Sequence, residues 1–169
     1  EKTFGRIQEE LRGAGYVMKA EVLNSLHYGN VPQARERIYI VAFRSPGTLM
    51  KFHFPDRVPL TRTMSQILEK HVAEKYYYTE EDEYIYPKLK AVVRHKDRFY
   101  QYRRNYVREN KSGVCPTLMA NMGEGGHNVP IIRDAQGIRK LTPRECARLQ
   151  GFPESFIFPS SQVDSHLYK

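Results

Sequence analysis

The sequence predicts an α/β fold, and three patterns lead to it. A helix-period segment runs into two β-rich stretches near the N-terminus, a basic and aromatic stretch fills the middle, and a sharply capped helix follows. Phe4, Ile7 and Leu11 share one face at three- and four-residue spacing, with Gly13 and Gly15 as a stop, so the first segment reads as a helix. Residues 16–23 are rich in β-formers, Gly29-Asn30 marks a turn, and residues 38–43 are an apolar run of the kind found in a buried strand. Helix-strand-strand is the tail of an α/β sheet, because a complete doubly wound sheet needs several more βα units upstream.

The character changes at Ser45-Pro46-Gly47. Thr63 with Gln66 fits a capping box for a second amphipathic helix carrying Ile67, Leu68 and Val72. An acidic cluster at residues 80–83 precedes residues 88–111, where nine Lys or Arg face two acids and alternate with Phe99, Tyr100, Tyr102 and Tyr106. Residues 112–133 are Gly-rich, predicting loops and short strands with backbone close to a neighbour. Thr142 as N-cap, Pro143 at the first turn, Glu145 closing a capping box and Gly151 as a stop define the last helix.

With 169 residues, 40% of them hydrophobic, the chain can form a core of one domain or a domain and a half, which excludes a disordered chain. A net charge of +8 favours a polyanionic partner. No apolar run approaches the roughly 20 residues of a membrane span. Glu1-Lys2-Thr3-Phe4 is no secretory signal, and without an initiator Met the chain is expected not to begin there. Cys115 and Cys146 lie 31 positions apart without CxxC spacing, which predicts a reducing cytosol, no disulfide scaffold and no metal site. His127 has no second ligand at metal spacing and reads as a loop residue.

Two stretches are more particular than composition. Tyr28-Gly29-Asn30-Val31-Pro32-Gln33-Ala34-Arg35-Glu36-Arg37-Ile38-Tyr39-Ile40-Val41 and Arg139-Lys140-Leu141-Thr142-Pro143-Arg144-Glu145-Cys146-Ala147-Arg148-Leu149-Gln150-Gly151-Phe152-Pro153 resemble the eighth and ninth sequence blocks of the DNA (cytosine-5) methyltransferases. Between them, Thr117-Leu118 and residues 121–130 resemble the end of that family's target recognition domain. The resemblance implies the C-terminal half of such an enzyme: the last strands of a Rossmann-like methyltransferase sheet (residues 1–45), a smaller, mixed, β-rich recognition domain (46–138) and a linking helix that returns toward the catalytic domain (139–169). The cofactor loop, the Pro-Cys nucleophile and the Glu-Asn-Val acid of the family are absent, and its closing Gly-Asn-Ser-Val block is expected just beyond Lys169. The missing half belongs to the same chain or to a separate one, and this part alone is expected to be inactive.

The resemblance implies a bacterial modification enzyme of the cytoplasm, associated with the nucleoid, that uses S-adenosylmethionine and duplex DNA. The family flips a cytosine out of the helix and adds a thiolate at carbon 6, and the enamine-like adduct then takes the methyl group. It assigns Arg37, with Arg35 beside it, to the charge developing on the pyrimidine. Two residues apart at the start of a strand, both arginines point to one side and Glu36 to the other. Gln33 holds either a phosphate or a loop. Residues 88–111 are either a solvated face or a DNA contact, with Arg98, Arg103, Arg104 and Arg108 as phosphate candidates. Thr117 is expected beside a phosphate. Asn121, Gly123, Gly125, Gly126, His127 and Asn128 are expected where main chain approaches DNA. Cys146 and Cys115 read as packed hydrophobes, and Arg144 and Arg148 as structural. A non-catalytic DNA-binding remnant, a recognition subunit of a split enzyme and a related RNA methyltransferase are the alternatives.

Overall fold

The computed structural model describes residues 2–124 and 129–169. Helix α1 (Lys2–Gly13) leads into β1 (Val17–Asn24), a single helical turn α2 (Ser25–Tyr28) and β2 (Glu36–Phe43). Strands β1 and β2 pair antiparallel as a two-stranded sheet, Val22 opposite Ile38 and Leu23 opposite Arg37. The predicted apolar run does form a strand, yet Ile38 and Tyr39 remain about half exposed and α1 buries no residue. Two strands offer too little surface to cover their own faces.

A short helix α3 (Pro46–Lys51), capped by Ser45, turns the chain away from β2. The predicted second helix is shorter than its pattern: α4 spans only Met64–Ile67. Gln66 accepts the Thr63 amide at 2.9 Å as the capping pattern requires. The next amide that would prolong the helix, that of Glu69, instead donates to the buried carboxylate of Glu145 at 2.8 Å. Leu68 and Val72 still pack on the core without helical backbone.

Residues 86–140 build the main sheet. Helix α5 (Tyr86–Val92) precedes β3 (Phe99–Arg103) and β4 (Tyr106–Asn110), and β5 (Ile131–Arg133) and β6 (Ile138–Lys140) complete a sheet of order β4-β3-β5-β6 with antiparallel pairing throughout. Period-two alternation divides its core into two layers. Tyr100, Tyr102, Ile131 and Ile138 pack with Ile85, Leu89 and Val93 of the α5 side. Phe99 and Ile132 pack with Ile67, Leu118, Leu141, Cys146 and Leu149.

Helix α6 (Pro143–Leu149) has the predicted capping box, Thr142 N–H to Glu145 Oε2 at 2.8 Å and Glu145 N–H to Thr142 Oγ1 at 3.2 Å. Gly151, at φ +85°, ends it in the left-handed conformation. A last turn, α7 (Asp164–Leu167), brings Tyr168 onto the core, where its hydroxyl donates to the Leu141 carbonyl at 2.6 Å. No helix among the described residues is long and apolar enough to cross a membrane.

Candidate functional site

Arg35, just before β2, and Arg37 within it both line one hollow of about 440 Å³. Arg35 and Arg37 form its cationic side, and Leu23, Val41, Phe52 and Phe54 supply apolar wall. Tyr39 follows Arg37 on the same strand face and lines it too. The start of the strand is fixed by Asn24, whose side-chain oxygen accepts from Leu26 N–H at 3.0 Å and from Arg35 N–H at 3.3 Å. Ser25 N–H donates to the Arg35 carbonyl at 3.0 Å.

No carboxylate lines the hollow, and neither arginine has an ion pair among the described residues. Burial, and then the neighbouring positive charge of Arg37, pull the Arg35 guanidinium below its ordinary pKa. An anion or an electron-rich oxygen between the two would relieve that repulsion. Arg35 Nη1 donates to the Leu118 carbonyl at 2.9 Å, whereas Arg37 is exposed and uses Nη1 on the Glu36 carbonyl at 2.6 Å. With five N–H donors per guanidinium, that leaves Arg37 with further donors for a ligand.

The Leu118 contact belongs to a seam between the arginine loop and residues 115–118. Cys115 N–H donates to the Pro32 carbonyl at 2.7 Å, and Ala34 N–H to the Cys115 carbonyl at 3.0 Å. Thr117 Oγ1 adds a bond to the Ala34 carbonyl at 2.7 Å. Gln33 is fully buried, its Nε2 donating to the Leu149 carbonyl at 2.9 Å. Of the two roles open to Gln33, phosphate or loop, burial favours the loop, because a fully buried side chain presents nothing to a phosphate, and its DNA contact is corrected accordingly. Thr117, expected beside a phosphate, commits its hydroxyl proton to the Ala34 carbonyl of the loop that leads into the arginine pair.

A family model for C-5 cytosine-specific DNA methylases matches residues 1–169. The chain belongs to this family. It is 50% identical, over 99% of its length and 53% of the relative's, to the Type II methyltransferase M.Bsp6I of Bacillus sp. (strain RFL6). It is 35% identical to the Type II methyltransferase M.DsaV of Dactylococcopsis salina, over 97% of this chain and 46% of that one. The chain thus spans about half the length of the curated relatives it matches. Its fold resembles that of the Entamoeba histolytica methyltransferase EhMeth (TM-score 0.67, 16% identity, 98% of this chain and 51% of that one). The S. pombe Dnmt2 methyltransferase is similar as well (TM-score 0.65, 18% identity, 99% of this chain and 56% of that one).

In this methylase chain the four arginines of the basic stretch divide. Arg98, expected as a phosphate contact, is tied into an ion pair with Glu109 across the β3–β4 hairpin, which sets it apart from the other three. Arg103 and Arg104 are exposed at the outer end of that hairpin, and Arg108 is exposed midway along it, opposite Gln101. Arg103 Nη2 donates to Gln101 Oε1 at 3.3 Å. Asn121 and Gly123 lie in a 3-10 turn (Ala120–Gly123), Asn121 exposed. The close backbone approach expected at Gly123 exists, but toward the chain itself: a Cβ there would stand 1.8 Å from the Ser165 carbonyl oxygen. The DNA role expected of Gly123 is corrected accordingly. Gly125, Gly126, His127 and Asn128 lie outside the described residues.

Both cysteines are free and buried. Burial pushes the Cys115 thiol well above its ordinary pKa, and burial followed by the Glu145 carboxylate does the same to Cys146, so neither supplies a thiolate. The hollow also does not fit S-adenosylmethionine. Its methylsulfonium is a cation, and among the described residues the cavity offers it two guanidinium groups and no carboxylate.

Sequence reasoning missed a buried charge cluster beneath α6. Arg139 and Glu145 are both fully buried and form a bidentate pair at 2.8 and 2.8 Å, and Arg139 Nε also reaches Asp134 at 2.6 Å. Burial opposes the charge on Arg139, but its bonds to Glu145 and Asp134 outweigh it and raise the guanidinium above its ordinary pKa. Tyr39 was within reach of the spacing argument, two residues beyond Arg37. Phe52 and Phe54 were not, because only the turn through α3 brings them over β2.

Proposed function

We propose that this chain is the DNA-facing C-terminal part of a DNA (cytosine-5) methyltransferase of the restriction-modification type. The complete enzyme transfers a methyl group from S-adenosylmethionine to carbon 5 of a flipped cytosine in a specific duplex sequence. Residues 46–138 supply target recognition, the loop and strand around Arg35 and Arg37 receive the extruded base, and residues 139–169 link back to the catalytic domain. The nucleophile and the cofactor site come from the catalytic half, in the same or a separate chain.

One observation carries this reading: two guanidinium groups, with no carboxylate partner among the described residues, stand on one side of a nucleotide-sized hollow. When a thiolate adds to carbon 6 of a pyrimidine, electron density moves toward N3 and O2. A donor held in place before the reaction stabilises that charge without reorganising, and loss of one such donor costs about 3 kcal/mol or a hundredfold in rate. Arg37, exposed at the rim, meets the O2 edge. Arg35, pinned by the Leu118 carbonyl, keeps the recognition segment in register with the strand and adds positive potential.

The test uses the complete enzyme with Arg37→Ala. The methylation rate is expected to fall at least tenfold while duplex affinity stays within a few fold, measured by methyl transfer and by fluorescence anisotropy. Unchanged turnover would remove Arg37 from the mechanism.

A further inference from the structure

The β3–β4 hairpin carries a feature that phosphate binding does not explain. Its register, Arg103 opposite Tyr106, leaves the two-residue turn Arg104-Asn105. Arg104 is held at φ 52°, the left-handed region where a side chain is strained and where the first position of a two-residue hairpin turn ordinarily takes glycine. A long cationic side chain occupies a site that glycine would fill without strain. Strain kept at an exposed tip points to a use for the side chain that causes it.

The tip is also braced and unsatisfied at once. Tyr84 donates its hydroxyl to Asn105 Oδ1 at 3.3 Å, and Lys88 on α5 sits 3.6 Å from the Tyr84 ring centroid and bonds the Tyr102 hydroxyl at 3.1 Å. The turn is thereby fixed to the helix behind it. Arg104 itself has no hydrogen bond or ion pair with another described residue, in contrast to Arg98 and Arg103. A two-stranded ribbon is narrow enough to enter the major groove, and a bidentate arginine is the commonest reader of guanine O6 and N7 there.

We propose that the hairpin enters the major groove of duplex DNA tip first and that Arg104 reads a guanine of the recognition sequence. Arg103 and Arg108 then lie along the flanks of the ribbon, where the phosphates pass. The inference rests on the methyltransferase reading above and adds to it one residue that sets specificity.

The complete enzyme, as wild type, Arg104→Gly and Arg108→Ala, is given S-adenosylmethionine and duplexes in which the base pairs around one cytosine are randomised, and the methylated products are sequenced. Arg104→Gly is expected to lose about a tenfold preference at one G·C pair while keeping the others. Arg108→Ala is expected to lower the yield with preferences unchanged. The Arg104→Gly variant relieves the turn, so its thermal midpoint should equal or exceed that of wild type. A variant that keeps every sequence preference overturns the inference, as does a fallen midpoint, which would make Arg104 a structural residue of the turn. Absence of 5-methylcytosine from wild-type reactions would overturn the methyltransferase reading instead.

Discussion

Arg35 and Arg37 stand two residues apart on one side of the hollow and face the same electrostatic problem with different solutions. Arg35 is partly buried and spends a donor on the Leu118 carbonyl, whereas Arg37 is open to the hollow. The pair was legible in the sequence because strand geometry puts alternate residues on one side. Gln33 was legible only as a choice between phosphate and loop, since nothing local shows that the Leu149 carbonyl, 116 residues away, completes it. Gly123 is the sharper case. A glycine in a Gly-rich loop suggests close approach, but the sequence does not say to what. The Ser165 carbonyl is the neighbour, so Gly123→Ala must push α7 away and should destabilise the enzyme by about 1–3 kcal/mol through overpacking. A shift in urea midpoint at unchanged duplex affinity is the expected outcome; an unchanged midpoint with weakened DNA binding would return Gly123 to the interface.

At the scale of elements, short-range signals read true and long-range ones did not. The α6 cap was visible because all its partners lie within four residues, Thr142 to Glu145. The early end of α4 was hidden because the group that captures the Glu69 amide is Glu145, 76 residues on. The same distance effect separates the arginines of the β3–β4 hairpin. Cross-strand pairing ties Arg98 to Glu109, while Arg103 and Arg108 keep their charge toward solvent. Removing one cation that neutralises a phosphate lowers the slope of log affinity against log salt by about one unit. Arg103→Ala with Arg108→Ala is therefore expected to flatten the slope by about two units, measured by anisotropy on a duplex between low and moderate salt. Arg98→Ala should leave the slope in place, because its guanidinium is already neutralised by Glu109. An unaltered slope in the double variant would make the hairpin a solvated face.

For the molecule as a whole, the two sheets differ in how well this chain covers them. The four-stranded sheet has a layer on each side and buries Phe99, Tyr100, Ile131 and Ile132 completely. The two-stranded sheet shields neither Val22, 58% exposed, nor its cross-strand partner Ile38, 50% exposed. Helix-strand-strand order announced an incomplete α/β sheet, but burial could not be read from it, because an apolar run looks the same whether its cover lies in the chain or outside it. Under the proposed function, the catalytic half continues this sheet and covers the Val22 and Ile38 face. A substitution there separates the two cases by magnitude. On a bare face Ile38→Asp behaves as a surface change, within about 0.5 kcal/mol, whereas under a packed layer it buries an unpaired carboxylate and costs several kcal/mol. The complete enzyme with Ile38→Asp is expected to lose thermal stability and methyl transfer together, because the sheet that carries Arg37 no longer seats against the half that supplies the nucleophile. An Ile38→Asp enzyme with an unchanged melting midpoint and full turnover would show that the catalytic half docks elsewhere.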